Sequence, residues 1–230
     1  MKILTIDTST TACSVAISVN EEIVASCLGS RGRALSATIL DTVAFVLKGS
    51  GLELEELDGF GVAVGPGSFT GLRVGLATVM GLALATGKPV AGFSSLAMLA
   101  MNLPWASHPV CPMFDARKKE VYTGLYECRD TPESLMADRV VTPEPFLESL
   151  DGTVIFIGEG AVRYRELIVA ILGERAFFAP PFVNLPHASA GAMLGAIAFA
   201  RGAAVPPELL APVYIRPSEA ELARLAEKIH

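Results

Sequence analysis

VAVGPGSFTGLRVG, from Val62 to Gly75, is the most informative segment of this sequence. It joins a short apolar run to a Gly-Pro-Gly turn and then to the first turns of a helix. Many proteins bind phosphate with this arrangement, because the first N–H groups of a helix have no partner within the helix. The P-loop pattern fails because Leu72 and Arg73 follow Gly71, and the dinucleotide pattern fails because Thr70 replaces its third glycine. The stretch therefore predicts strand, turn and helix, with an anion site and a simple tight turn both open.

Two helices flank this strand in the sequence. Ser68 is placed to cap a helix from about Phe69 to Ala85, in which Gly71 and Gly75 lie four residues apart. Because glycine disfavours a helix interior, this spacing indicates a face that another backbone approaches closely. The earlier helix, from Ala34 to Lys48, is apolar on two sides. One side has apolar residues at helical spacing and the other is also largely apolar: Leu35, Ile39 and Val43, against Ala37, Leu40, Ala44 and Phe45.

The chain repeats its own pattern. The run KILTI ends at Asp7 and the run VCPMF ends at Asp115, and a second strand follows each of them. Each half later contains a strand, a Gly-x-Gly turn and a helix. This order predicts a duplicated α/β fold, with halves at residues 1–103 and 104–217. A terminal helix is expected within residues 218–230, from Glu219 to Ile229, capped by Ser218 and Glu221.

Asp7 is the acidic residue best placed for chemistry. A carboxylate at a strand end, followed by Thr8-Ser9-Thr10, can hold hydrated magnesium while hydroxyls and amides meet a phosphate. Two facing hairpins with one acid each are the layout of the actin, sugar-kinase and heat-shock ATPase group. For Asp7 alone, ordering of its own turn is the favoured interpretation. The candidate nucleotide-binding residues are Asp7, Ser9, Gly65, Gly67, Ser68 and Thr70.

Composition restricts the classes of function. The net charge of −6 disfavours a protein whose main task is to grip nucleic acid. The two basic clusters, Arg31 with Arg33 and Arg117 to Lys119, are interpreted as solvated loop charge. The sequence has no Cys/His metal spacing and no serine or cysteine in a catalytic arrangement with histidine. The apolar stretches are shorter than the roughly 20 residues that span a bilayer, so a cytoplasmic protein without membrane contact is expected.

Four stretches together resemble the bacterial TsaB (YeaZ) family: ILTIDTSTTACSVAI, GVAVGPGSFTGLRVGLATVMGLALATGKPVAGFSSLAML, DARKKEVYTGLY and APVYIR. The resemblance implies two actin-like halves of the ribonuclease H-like type. It implies a part in making threonylcarbamoyladenosine at the tRNA adenosine beside the anticodon. The paralogue TsaD is the transferase, TsaE is a small ATPase partner, and the TsaB-type chain is the non-catalytic subunit that docks on TsaD. Contact with tRNA is then expected through the partners.

The resemblance also implies roles for particular residues. The catalytic paralogue carries an H-x-x-x-H metal pair where this chain has Ser95 and Leu99, so no metal is expected. The two helices described above match the family's docking surface, which implies a homodimer without TsaD and a heterodimer with it. The alternative, that both helices pack only within their own half, remains open. The expected interface residues are Leu35, Ile39, Val43, Gly71, Arg73, Val74, Gly75, Thr78 and Leu82.

Two other functions compete with this interpretation. A stand-alone small-molecule kinase or ATPase would use Asp7, Asp115 and the Gly-Pro-Gly turn, and would bind ATP with magnesium. The sequence does not support a peptidase activity, because it contains neither a nucleophile–base pair nor a metal motif. No resident cofactor is expected, although weak binding of ATP or ADP with magnesium in the complex stays open.

Overall fold

The computed structural model describes residues 1–30 and 35–216, with the side chains of residues 30 and 35–38 left out. Arg31, Arg33 and the terminal helix expected from Glu219 to Ile229 lie outside these residues. The strands are β1 Lys2–Asp7, β2 Ala12–Val19, β3 Glu22–Ser30, β4 Gly59–Gly65, β5 Val90–Ser94, β6 Val110–Asp115, β7 Val121–Cys128, β8 Pro132–Val141, β9 Val154–Ile157 and β10 Ala176–Phe178. The helices are α1 Leu35–Ser50, α2 Phe69–Thr86, α3 Ser95–Ala100, α4 Pro143–Glu148, α5 Glu159–Arg163, α6 Arg165–Leu172 and α7 Ala188–Ala200.

The ten strands form two five-stranded sheets with the same topology. The first sheet has the order β3-β2-β1-β4-β5 and the second has β8-β7-β6-β9-β10. In each, the central strand pairs antiparallel with the next strand along the chain and parallel with the fourth. We refer to each sheet with the helices packed on it as a lobe. The repeated strand order confirms the duplicated α/β fold predicted from the two Asp-ended runs.

The local signals around α2 are confirmed. Ser68 Oγ accepts a hydrogen bond from the Gly71 N–H at 3.2 Å, and Gly87 ends the helix with a φ of 66°. α1 differs slightly from the prediction, because it continues through Gly49 and ends at Ser50. Gly51, with a φ of 69°, follows directly and supplies the left-handed residue that commonly follows a helix end.

Each lobe has its own apolar core. In the first, α1 and α2 cover one face of the sheet, with Ile39, Val43 and Leu72 among the buried residues. In the second, α4, α5 and α6 cover the sheet. α7 lies late in the chain yet packs on the other face of the first sheet, where the Ala188 N–H donates to Ser14 Oγ at 2.8 Å. The lobes are therefore interleaved along the chain, and the expected boundary at residue 103 stays a prediction.

The segment 205–216 contacts both lobes. Val205 pairs with Val90 at the edge of the first sheet, and the Val213 N–H donates to the Val64 carbonyl at 2.8 Å. Arg216 then reaches the second lobe, where it donates to the Ala116 carbonyl at 2.6 Å. The end of the described chain thus bridges the two lobes.

α2 is long and apolar enough to cross a membrane by length and composition. It packs, however, on β4 and β1 and beside α1, and 33% of it is buried within the protein. A helix at the edge of a soluble core meets the same criteria, so this feature does not indicate a membrane protein.

Candidate functional site

A cavity of about 540 Å³ lies between the two lobes. The first lobe contributes the β1–β2 loop and the turn before α2, and the second contributes the end of β6, the β6–β7 hairpin and α5. The residues that line it are Ser9, Thr10, Thr11, Gly67, Ser68 and Phe69 from the first lobe, and Phe114, Asp115, Ala116, Arg117, Tyr122, Glu159, Val162 and Arg163 from the second. The duplication therefore brings the two strand ends and their loops to one cleft.

Asp7 lies beneath this cleft rather than in it. Its side chain is fully buried, and its Oδ1 accepts a hydrogen bond from the Ser9 N–H at 3.1 Å. Oδ2 has no hydrogen-bond partner. Burial raises the pKa of the carboxyl from 3.8 to about 6, and hydrogen bonding by Ser9 and by the Thr8 amide only partly offsets this. Asp7 thus orders its own loop, in agreement with the interpretation favoured from the sequence.

The Gly-Pro-Gly turn is packed against the β1–β2 loop. The Ser68 N–H donates to the Ser9 carbonyl at 2.7 Å, and a Cβ on Gly67 would collide with that same carbonyl. The Gly71 N–H is bonded to Ser68 Oγ. Two of the amides that could have bound a phosphate are therefore occupied within the protein, which favours the tight-turn interpretation of this sequence.

Asp115 sits at the matching position of the second lobe but is open to the cavity. Its Oδ2 lies 3.1 Å from Nη1 of Arg163, and its Oδ1 accepts from the Arg117 N–H at 3.0 Å. Glu159 lies beside it, and its pKa is raised by burial first and by the charge of Asp115 second. The negative charges of Asp115 and Glu159 are thus partly offset by arginines of the second lobe.

The structure separates the predicted nucleotide-binding residues into two groups. Ser9, Gly67 and Ser68 line the cavity. Asp7 and Gly65 are buried outside its lining, and Thr70 is exposed on the first turn of α2. Nucleotide binding by this set stays a prediction. Arg117, Glu159 and Arg163 line the cavity but were not in the predicted set. The repeated Gly-x-Gly turn is the sequence signal that could have indicated Glu159 and Arg163, and the run that ends at Asp115 could have indicated Arg117.

The expected interface residues of α2 also fall into two groups. Gly71 and Gly75 face the β1–β2 loop of their own lobe, where a Cβ would collide with the Thr8 carbonyl or hydroxyl oxygen. Thr8 Oγ1 also donates to the Gly71 carbonyl at 2.7 Å. The close backbone approach that the glycines indicated therefore exists, but it lies inside the first lobe. Of the other α2 residues predicted for the interface, Arg73 is exposed, and Val74, Thr78 and Leu82 are partly buried.

On α1, the predicted stripe faces inward. Ile39 is 2% exposed and Val43 is 4% exposed, and both belong to the first core. The side chain of Leu35 is outside the described part of the structure. Elsewhere on α1, the large apolar residues Leu40 and Phe45 are 59% and 66% exposed. On the neighbouring α2, Leu84 is 54% exposed. α1 and α2 therefore present an outer apolar face. Its large exposed residues, Leu40, Phe45 and Leu84, are not among those predicted for the interface.

The positions that the family resemblance matches to a metal pair in the paralogue are core positions here. Ser95 and Leu99 lie on α3, and both are completely buried. Within residues 1–30 and 35–216, no group of three or more His, Cys, Asp or Glu side chains is arranged to hold a metal ion. The chemistry of a hydroxyl and an isobutyl group does not fit a transition metal at this place.

Comparison with known proteins identifies the family. The family model described as TsaD, tRNA N6-adenosine threonylcarbamoyltransferase, matches residues 30–224. The curated protein "tRNA threonylcarbamoyladenosine biosynthesis protein TsaB" of Bacillus subtilis is 31% identical over 96% of each chain. Its namesake from Escherichia coli is 32% identical over 94% of this chain and 95% of that one. The chain belongs to the TsaB (YeaZ) family.

Several solved structures superpose on this chain. YeaZ from Pseudomonas aeruginosa superposes with a TM-score of 0.81 at 32% identity, covering 93% of this chain and 99% of that one. A second structure, of an uncharacterized Pseudomonas aeruginosa protein with similarity to peptidase YEAZ, has a TM-score of 0.83 at 32% identity and covers 94% and 99%. The ROK hexokinase of Thermus thermophilus, at 10% identity and a TM-score of 0.53, covers 88% of this chain and all of that one. This last likeness concerns the fold alone, and it confirms the predicted actin-like and sugar-kinase architecture.

Proposed function

We propose that this chain is a non-catalytic subunit that binds and activates a TsaD transferase for threonylcarbamoylation of the tRNA adenosine beside the anticodon. The proposal places it in the cytoplasm, in an assembly that TsaE also joins. Family membership supports the pathway, and the match to the TsaD family model supports a TsaD-associated role. The observation that carries the docking step is the outer apolar face of α1 and α2.

We call Leu40, Phe45 and Leu84 the docking face. Each of these side chains is more than half exposed, although α1 and α2 lie side by side on a well-packed core. Ala44 of α1 and Ala77 of α2 are also exposed, so small apolar side chains add to the accessible surface of the two helices. Large apolar side chains on adjoining helices expose a surface that is typical of protein–protein contacts. The proposal therefore assigns these side chains to an interface.

The proposal also assigns this face to a homodimer that forms when TsaD is absent. A second copy of this chain presents the same apolar side chains, so a symmetric contact would cover both faces at once. Because one face cannot hold two partners, TsaD and the second copy compete for it. The proposed exchange is from homodimer to heterodimer.

The cleft gives less support to catalysis. Asp7 is buried beneath the cavity lining and accepts a hydrogen bond from the Ser9 N–H, and Asp115 is paired with Arg163. The cavity residues include no histidine, cysteine or lysine, and the acidic residues that could act as a base, Asp115 and Glu159, lie beside Arg163 and Arg117. This lining supports an accessory role in which TsaD carries out the transfer.

The decisive experiment is light-scattering chromatography of Phe45→Asp and Leu84→Asp, each with and without TsaD. A charge buried at an interface should weaken docking by roughly 2 kcal/mol or more, about thirty-fold in Kd, and should shift the homodimer to a monomer. The matched controls are Leu135→Asp and Phe182→Asp, which alter exposed apolar residues of the second lobe. Retained TsaD binding by both docking-face variants would refute the proposal.

The second candidate function is stand-alone binding of ATP with magnesium in the cleft. The observation in its favour is the cavity between two Asp-ended strands, large enough for part of a nucleotide. The test is titration calorimetry of the chain alone with ATP and magnesium, with Glu159→Gln as the cavity variant. Micromolar binding that Glu159→Gln changes would favour this function, and no heat at millimolar ATP would exclude it.

A further inference from the structure

The exposed side of α2 carries an arginine that two aromatic rings hold in place. The guanidinium carbon of Arg73 lies 3.7 Å from the centre of the Phe69 ring and 5.8 Å from the centre of the Tyr214 ring. The two ring centres are 5.1 Å apart. Arg73 Nε also donates a hydrogen bond to Tyr214 Oη at 3.0 Å. These contacts restrict an exposed side chain that would otherwise sample many rotamers.

Tyr214 comes from the segment that bridges the two lobes, 141 positions after Arg73. This segment is fixed beside β4, because the Val213 N–H donates to the Val64 carbonyl at 2.8 Å. It also packs closely there, since a Cβ on Gly65 would lie 2.6 Å from the Val213 carbonyl oxygen. The tertiary fold therefore supplies a fixed tyrosine to an exposed arginine of a distant helix.

The guanidinium group of Arg73 keeps most of its hydrogen-bonding capacity. An arginine has five N–H donors, and Tyr214 uses the one on Nε. In the part of the chain that the structure describes, neither terminal nitrogen of Arg73 has an acceptor and no carboxylate pairs with it. Arg163, in contrast, is paired with Asp115. Arg73 is thus an ordered cation whose two terminal NH2 groups are available to a partner.

Arg73 lies on the same side of α2 as Leu84, which belongs to the docking face. The two residues are eleven positions apart, which at 3.6 residues per turn is about three full turns and roughly 16 Å of helix. Arg73, Ala77 and Leu84 are all exposed, so this side of the helix faces outward. A partner that covers Leu84 and extends along α2 towards its N-terminus therefore meets Arg73.

We propose that Arg73 anchors the docked TsaD transferase by binding an aspartate or glutamate side chain of that partner through both terminal NH2 groups. The planar fork of a guanidinium matches the two oxygens of a carboxylate, and such bidentate hydrogen bonds are strong. Arginine and tyrosine are also enriched at the energetically important positions of interfaces. The inference rests on the proposed function, because TsaD is the partner that covers α2.

The surroundings of Arg73 favour a protein carboxylate over a tRNA phosphate. Binding to a nucleic-acid backbone uses several cations along one face, whereas Arg73 is the one charged residue of α2, a helix that the structure describes in full. The chain as a whole carries a net charge of −6. Arg73 is also not part of the cavity lining, where a small anion would bind. A single cation at the margin of an apolar surface is typical of protein–protein interfaces.

The test measures the Kd of the TsaD complex by titration calorimetry for Arg73→Ala and Arg73→Lys. Arg73→Ala should raise Kd about ten- to thirty-fold, because the carboxylate of TsaD is then buried without a counter-charge. Arg73→Lys should still raise Kd about three- to ten-fold, since lysine keeps the charge but lacks the planar fork. The control, Arg201→Ala, removes an exposed arginine outside α2 and should leave Kd unchanged.

Tyr214→Phe tests whether Tyr214 acts as a positioning residue for Arg73. The variant keeps the aromatic ring but removes the hydroxyl group that accepts from Nε, so Kd should rise about two- to five-fold. In the Arg73→Ala background the same substitution should have no effect, because the hydroxyl group then has no guanidinium to orient. An equal loss in both backgrounds would contradict the positioning role.

The carboxylate is identified by replacing the acidic residues of TsaD one at a time with Asn or Gln. Coupling of one such substitution to Arg73→Ala in a double-mutant cycle supports the inference, and the absence of any coupled acid overturns it. An unchanged Kd for Arg73→Ala also overturns it. So does weaker binding of tRNA by the complex with TsaD binding retained, because the anion would then be a phosphate.

The docking-face variants Phe45→Asp and Leu84→Asp separate this inference from the proposed function. If they lose TsaD binding while Arg73→Ala retains it, the charged anchor fails and the docking face stands. If the unaltered chain does not bind TsaD at all, the proposed function fails and the anchor fails with it.

Discussion

Asp7 and Asp115 occupy the same position in two copies of one fold, yet their surroundings are opposite. Asp7 is fully buried with one unpartnered oxygen, whereas Asp115 borders the cavity and is paired with Arg163. Both residues end the central strand of their sheet and precede a hairpin. Strand topology therefore determines where an acid is placed, but it does not determine whether water or a ligand reaches it.

The helix after the fourth strand makes the difference. In the first lobe, Gly67 and Gly71 bring the turn and α2 against Ser9 and Thr8, the residues that follow Asp7, and so cover it. In the second lobe, Gly160 of α5 approaches Met113, which precedes the acid by two residues. α5 is also only five residues long. The same Gly-x-Gly turn thus closes one strand end and leaves the other open.

The largest expected effect comes from Asp7→Asn. Its raised pKa means that folding favours the neutral carboxyl, and this contribution is present below pH 3.8 and lost as the pH rises through about 6. At pH 8 the charged form costs on the order of 3 kcal/mol. Asn, which stays neutral, should therefore raise the urea midpoint at pH 8 and leave it unchanged near pH 4. The exposed Asp151→Asn is the control. A gain that does not depend on pH would contradict the burial of a charge at Asp7.

The next effect separates the two sides of α2. Gly71→Ala should destabilise the protein by about 2 kcal/mol, because its methyl group would overlap the Thr8 carbonyl. Gly81→Ala, on the open side of the same helix, should stabilise it by about 1 kcal/mol, since alanine is the better helix former. Urea unfolding of both variants measures the pair. Equal effects of the two substitutions would show that α2 does not press on the β1–β2 loop.

The smallest effect is expected at the second strand end. Arg163→Ala should cost about 1 kcal/mol or less, because the arginine side chain is 61% exposed and the ion pair is screened by solvent. Asp115→Asn should cost a similar amount, so that the same substitution has opposite signs at the two strand ends. Double-mutant-cycle unfolding with both changes measures the coupling. A stabilising Asp115→Asn would remove the contrast between the lobes.

Much of the fold could be predicted from the sequence, because local signals and tertiary structure agree there. Ser68 caps α2, and the two Asp-ended runs form the central strands. β8 was not predicted because, as an exposed edge strand, it carries charged residues instead of a regular apolar alternation. β10 has only three residues, too few for any pattern to emerge.

The candidate site was less predictable, because it depends on which side of a helix faces the sheet. α1 is apolar on both sides, so its sequence could not show that Ile39 would face inward and Phe45 outward. Gly71 and Gly75 correctly indicated a close contact, but the contacting residue, Thr8, lies more than sixty positions earlier in the chain. Contacts between distant residues decide these assignments, and periodicity carries no information about them.

Because α7 returns to the first sheet, the first lobe is not formed by the N-terminal part of the chain alone. Gly191 of α7 packs against Phe93 and Met98, and Phe199 packs against Gly59. A fragment ending at residue 103 would lack this covering layer, and its sheet would present an apolar face to water. The second lobe is in this sense an insertion carried by the first. Gene fragments that end at residue 103 should therefore yield insoluble first pieces, while a first piece supplied with the α7 segment in trans should recover solubility.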